Sequence, residues 1–169
     1  STLQPGTRVP AWCTANGRML LASLPPAQLD AYLERVQPEQ ITEHTIASKE
    51  RLALEIARAR AQGYALVDQE LELGLRTLSV PLRNFRNEVV AAMNISVHAG
   101  RMPPGEMVER CLPALIKMQV ACRLALESLP ALPEQAQHAL HDPVDVLCRV
   151  SERELRRAQA QFSRRERAA

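Results

Sequence analysis

The chain has 169 residues, is 46% apolar but only 3% aromatic, and carries a formal net charge of +2. This is long enough for one domain with a core of its own, which Leu, Val, Ala and Met must fill. The charge is too small to hold the whole chain on nucleic acid, no apolar run approaches the roughly 20 residues that span a bilayer, and no signal-peptide pattern is found.

Residues 1–10 read as an arriving loop with a short extended run at Thr7–Val9. Ala11–Leu24 then predicts a helix, with Thr14 as N-cap and Met19, Leu20 and Leu21 on its body. Gly17 lies inside that helix, where glycine costs roughly 1 kcal/mol relative to alanine. Its presence suits a helix start that must approach another backbone or a ligand. Free N–H groups at such a start attract anions, and Thr14 and Asn16 add polar side chains there.

Pro25-Pro26 interrupts the chain, and Ala27–Val36 restarts as an amphipathic helix through Leu29, Tyr32, Leu33 and Val36. A connector, Gln37–Ile46, leads to a helix over Ser48–Gln62, with Leu52, Ile56 and Ala59 at helical spacing and Gly63 as its stop. Three strands follow at Tyr64–Gln69, Gly74–Leu82 and Val89–Val97, joined by turns too short for a crossover helix, so antiparallel pairing is expected. Pro81 cannot donate a ladder bond and marks its strand as an edge or as bulged there.

The strands have two unlike faces. Val89, Ala91, Met93, Ile95 and Val97 alternate with Val90, Ala92, Asn94, Ser96 and His98; Leu78, Val80 and Leu82 alternate with Thr77 and Ser79. Such alternation suits a sheet that covers a core on one side and floors a cavity on the other.

After a turn at Ala99–Pro104, a long helix is expected over Pro104–Leu129, with Met107, Val108, Cys111, Leu115, Met118 and Cys122 on one face and a kink or break at Pro113. Leu132–His141 and Val144–Arg167 also read as helical, the latter with a capping-box pattern at Ser151–Glu154 and a run of arginines toward its end.

Signatures of catalysis are missing. No GxSxG, Walker-type, GxGxxG or HExxH pattern occurs, and His44, His98, His138 and His141 are not spaced as a metal-ligand set. Cys13, Cys111, Cys122 and Cys148 form no CxxC and are expected to be free thiols in a reducing cytoplasm. Asp68, Glu70 and Glu72 are candidates to pair with Arg76 or Arg8. No cofactor, metal or enzymatic activity is expected.

Three stretches, GTRVPAWCTANGRMLLASLP, ARAQGYALVDQELELGLRTLSVPLRN and EVVAAMNISVHAGRM, resemble in order and spacing the effector-binding domain of IclR-type bacterial transcription regulators. QELELGLRTL and NISVHAGR are most similar to the branch controlling β-ketoadipate-pathway genes, for protocatechuate and 4-hydroxybenzoate catabolism. The resemblance implies an α+β, GAF-like antiparallel sheet flanked by helices over residues 1–129, with residues 130–169 as a helical C-terminal extension. It implies a cytoplasmic homodimer or tetramer that touches DNA only through a separate winged helix-turn-helix domain. In relatives that domain, a linker helix and the opening elements of the effector domain precede the matching region, so this chain is expected to be a fragment.

The implied effector is an aromatic or dicarboxylic acid. Pocket positions of the family fall on Ala15, Asn16, Val67, Thr77, Asn94 and Ser96. Thr14 joins them at the helix start, and Trp12, Met19 and Val67 are expected to supply apolar walls. Val67 stands where relatives that bind small oxo-acids can have an acidic residue, which points to a more apolar ligand. Two rivals remain: an assembly module whose long helices form a dimer around a vestigial cavity, and an enzyme, which would need a reactive Cys13.

Overall fold

A computed structural model describes residues 8–126 and 145–147. Their order is β1 (Arg8–Pro10), α1 (Ala15–Ala22), α2 (Pro26–Arg35), α3 (Lys49–Gln62), β2 (Ala65–Asp68), β3 (Leu75–Arg83), β4 (Val89–His98), α4 (Pro104–Leu126) and β5 (Asp145–Leu147). The architecture is α+β, with an antiparallel sheet of order β2-β3-β4 between helices, as the sequence predicts.

Local signals act where expected. Thr14 Oγ1 accepts from Gly17 N at 3.3 Å and Ser48 Oγ accepts from Arg51 N at 3.3 Å, each capping its helix. Gly63 ends α3 in the left-handed region at φ 78°, where a side chain would be strained.

The register Thr77↔Ser96, Leu78↔Ile95, Ser79↔Asn94, Val80↔Met93 aligns the two strands' faces. Leu78 and Val80 bury against Met107 and Leu115 of α4, with Leu66, Met93 and Val97 packed beside them. On the opposite face, Ala65 joins Trp12, Met19, Leu21, Tyr32, Leu52 and Ile56 in a second apolar cluster between the sheet and α1–α3. Thr77, Ser79, Asn94 and Ser96 therefore share the α1 side of the sheet.

Five expectations need correction. Pro81 sits in the central strand, but β2 pairs with β3 only from Arg76 to Ser79, so on that side the missing N–H has no partner strand to fail. The ladder to β4 is irregular one residue later, between Leu82 and Arg83. The helix α4 neither breaks nor splits at Pro113: that residue and Glu109, whose carbonyl loses its acceptor role, both face solvent. Met118 is 51% exposed, off the packing face, and Ile95, 38% exposed, sits on the edge strand while α4 packs chiefly on β3. Asp145–Leu147 are extended and pair antiparallel with β1 (Val9↔Val146), not helical, because β1's backbone groups require a partner. The other helices expected after residue 129 and the arginine-rich end lie outside the described residues.

Candidate functional site

The N-terminus of α1 is brought down on the polar face of the sheet by a close backbone contact. A Cβ placed on Gly17 would come within 2.7 Å of the O, Cα and C atoms of Ala11. Only glycine lets the helix lie this near the loop that precedes it. The Thr14 hydroxyl donates to Pro10 O at 3.1 Å, which uses its single donor, while it caps Gly17 N. In an α-helix the first N–H groups have no intrahelical acceptor. With Gly17 capped, those of Ala15 and Asn16 are left without an intrahelical acceptor.

Asn16 also joins helix to sheet through its side chain. Ser79 Oγ, fully buried, donates to Asn16 Oδ1 at 2.7 Å and lies 3.1 Å from Met93 O. Asn16 Nδ2 donates to Asn94 Oδ1 at 3.0 Å, and Asn94 Nδ2 to Ser96 Oγ at 3.2 Å. The Ser96 and Thr77 hydroxyls are 3.1 Å apart. The network thus runs from a buried hydroxyl to an exposed one and orients every amide and hydroxyl along the way.

Beside it lies a cavity of 180 Å³. Its walls are Thr14, Ala15 and Asn16 of the α1 start, Thr77, Asn94 and Ser96 of the sheet, and the apolar Val9, Val67, Leu71 and Leu75, with Cys13, Glu70 and Glu72 completing it. An apolar cavity of about 150 Å³ holds benzene, so a single-ring ligand fits in size.

The structure brings Thr14, Ala15, Asn16, Val67, Thr77, Asn94 and Ser96 together around this one cavity. Trp12 and Met19 are not among its walls. They are 7% and 3% exposed in the cluster beneath α1, because the close approach of Gly17 turns them into the core. The apolar side of the cavity comes from Val9, Leu71 and Leu75 beside Val67.

Glu70 has a different partner from those expected. Its carboxylate receives both guanidinium Nη groups of Arg18, at 2.7 and 2.8 Å, with Arg18 2% and Glu70 4% exposed. Arg18 Nη2 also donates to Trp12 O at 2.8 Å. Residues 52 apart in sequence thereby tie α1 to the loop after β2. Arg76 does take Asp68, at 2.9 Å, and its remaining donors hold the carbonyls of Ala99 and Met102. Glu70's charge is thus neutralised from below, and no Lys, Arg or His lines the cavity among the described residues. An acid bound here would be held by N–H, amide and hydroxyl donors.

Cys13 is fully buried, and its thiol lies 3.8 Å from Pro10 O. Burial, and secondarily the charge of Glu70, pushes its pKa from the ordinary 9.0 to about 12, while Arg18 opposes the shift. Helix-start activation does not reach it. Burial likewise moves Tyr32 from 10.0 to about 12. A folded pKa above the unfolded one means that the unfolded chain releases its proton first. Stability is then complete below pH 9.0 and declines as pH rises toward 12. Denaturation midpoints followed across that range should be flat and then fall, with Cys13 resisting alkylation in the folded chain. A constant midpoint, or Cys13 labelled at the rate of a free thiol, would contradict this.

Comparison with known proteins agrees with the fold. The family model for the bacterial transcriptional regulator IclR C-terminal region matches residues 1–121. The Pca regulon regulatory protein of Pseudomonas putida is 43% identical over 114 residues, 68% of this chain and 39% of that protein. The p-hydroxybenzoate hydroxylase transcriptional activator of Acinetobacter baylyi is 29% identical over 110 residues, 65% of this chain and 41% of that one. This chain thus spans about two fifths of the length of these curated relatives.

Among solved structures, a transcriptional regulator from Rhodococcus sp. RHA1 superposes with a TM-score of 0.74 at 38% identity, over 77% of this chain and 53% of that chain. A double mutant of the PobR inducer-binding domain from Acinetobacter, complexed with 3-hydroxybenzoic acid, superposes at 0.67 with 26% identity, over 73% of each chain. These relatives are regulators of transcription, not enzymes. With the family model covering well over half of its residues, the chain belongs to the IclR C-terminal family of bacterial transcriptional regulators.

Proposed function

We propose that the cavity receives a small aromatic carboxylic acid of aromatic-compound catabolism, and that its binding controls DNA attachment through a separate winged helix-turn-helix domain of a cytoplasmic regulator. The observation that carries this reading is the Ser79–Asn16–Asn94–Ser96–Thr77 network, which sets uncharged donors at one end of a cavity whose apolar walls are Val9, Val67, Leu71 and Leu75, with the Glu70 carboxylate already paired to Arg18. The carboxylate sits against the Ala15 and Asn16 N–H groups, where the helix dipole favours negative charge. Asn94 and the Thr77 and Ser96 hydroxyls complete its shell or take a ring hydroxyl. The ring lies against Val9, Val67, Leu71 and Leu75.

The related inducer-binding domain in complex with 3-hydroxybenzoic acid supports a ligand of this class. A purely aliphatic dicarboxylate is disfavoured, because among the described residues no cation lines the cavity to hold its second charge. No chemistry on the ligand is involved. Its effect comes from binding one arrangement of the domains better than another.

Titration calorimetry with 4-hydroxybenzoate, protocatechuate and β-ketoadipate tests the reading, the two aromatic acids being expected to bind. Asn94→Ala removes a donor to a charged group and loosens Ser96, so affinity should fall roughly 10- to 100-fold. If none of the acids binds, or Asn94→Ala binds unchanged, the site is misassigned.

A further inference from the structure

The cavity wall at Val9 stands on a strand that the main sheet does not hold. β1 belongs to a two-stranded ladder of its own, and among the described residues its partner strand is β5. One end of β1 is fixed by α1: Pro10 O accepts from the Thr14 hydroxyl at 3.1 Å, and Ala11 lies against Gly17. The other end is held by the ladder. Val9, half-buried and lining the cavity, stands opposite Val146, and Arg8 stands opposite Leu147. Pro10 has no N–H to give, so the donors of β1 to this ladder come from residues 8 and 9. β5 itself falls at residues 145–147, beyond residues 1–121 that the family model covers.

We propose that β5 is a positioning element of the ligand site, contributed by the chain beyond the family region, which holds Val9 against the ring of the bound acid. This rests on the reading of the cavity given above. A three-residue strand does not keep its place alone, and a pair of such strands is only marginally stable. Pairing therefore sets the fraction of molecules in which the wall is in place, and the apparent affinity is scaled by that fraction. By the same linkage, a bound acid strengthens the pairing of β1 with β5.

Titration calorimetry of the 169-residue chain with 4-hydroxybenzoate is the test, run as a double-mutant cycle on Val9→Ala and Val146→Pro. Proline at 146 fixes φ near −65° and cannot donate to the ladder, whereas Val146→Ile keeps a strand-forming residue there. Val9→Ala should weaken binding about fivefold, through lost apolar contact with the ring. Val146→Pro should weaken it by at least as much, and Val146→Ile should bind as the native chain does. Both single changes act through one wall, so Val146→Pro should add little once Val9 is alanine; damage to the fold at large would add in full. Cys13 gives a readout without ligand, since its thiol lies 3.8 Å from Pro10 O at the end of β1. Followed by peptide mass, its alkylation should be faster in Val146→Pro than in the native chain, and 4-hydroxybenzoate should slow it in the native chain. Unchanged affinity in Val146→Pro overturns the proposal, and so does a fully additive double variant or an isoleucine variant as weak as the proline one. If the native chain binds no acid, the reading of the cavity has failed, and Cys13 labelling then decides the role of β5: equal rates in the native chain and Val146→Pro reject it.

Discussion

Replacing Glu70 with alanine is expected to destabilise the fold by about 3–5 kcal/mol, the range for breaking a buried ion pair from one side. The cost is high because Arg18, 2% exposed, would keep its charge without a counter-ion. The Arg18 Nε atom already has no hydrogen-bond partner, so the side chain has little capacity to adapt. Glu70 also accepts from Ile46 N, and the Thr42 and Thr45 hydroxyls bond the backbone carbonyls of Gln69 and Glu70, so the connector before α3 would loosen as well. Domains of this size have a total stability of about 5–15 kcal/mol. The thermal midpoint should therefore fall on the order of 10 °C or more.

The paired replacement Arg18→Met with Glu70→Leu removes both charges and should recover most of that loss, since isolated charges, not the lost attraction, set the cost. Melting curves of the single and double variants decide the matter. Equal melting of Glu70→Ala and the native chain would mean that Arg18 reaches water on losing its partner.

Gly17→Ala carries the second large effect, and its sign runs against helix propensity. Alanine in place of glycine in a helix favours folding by about 1 kcal/mol. The added Cβ, however, meets backbone atoms of Ala11, which no rotamer change can move aside. Forced repacking of this kind costs about 1–3 kcal/mol, occasionally more, so the clash outweighs the propensity. Relief would require α1 to rise from the loop at residues 11–13, carrying Asn16 away from Ser79 and Asn94. The expected outcome is a lower melting temperature together with loss of acid binding in calorimetry. A Gly17→Ala chain that melts higher than the native one would show that the contact yields freely.

Much of the backbone was legible because its signals are local. Thr14, Ser48 and Gly63 act on groups within a few residues of themselves, and the strand alternation needs only a period of two. That alternation also assigned Thr77, Asn94 and Ser96 to one face before any pairing was known, since a single correct register brings all three together. Resemblance added Ala15, Asn16 and Val67, which alternation cannot identify. The errors have a common origin. Trp12 and Met19 were expected at the cavity because they flank Asn16 in the chain, yet the approach of Gly17 to Ala11 rotates them into the core. Ser79 looked like any small polar strand residue, and its buried hydroxyl gains meaning only when α1 sets Asn16 above it.

The sequence by itself determined the order of the helices and strands from α1 to α4, which strand face is polar, and the family to which the chain belongs. These depend on caps, periodicity and ordered motifs carried along the chain. Tertiary structure alone decided that Glu70 pairs with Arg18, that Ser79 anchors the floor of the cavity, and that Asp145–Leu147 extend along β1. Each of these joins groups far apart in sequence, and their partners are chosen by which surfaces burial brings together and by the need to satisfy every polar group enclosed there.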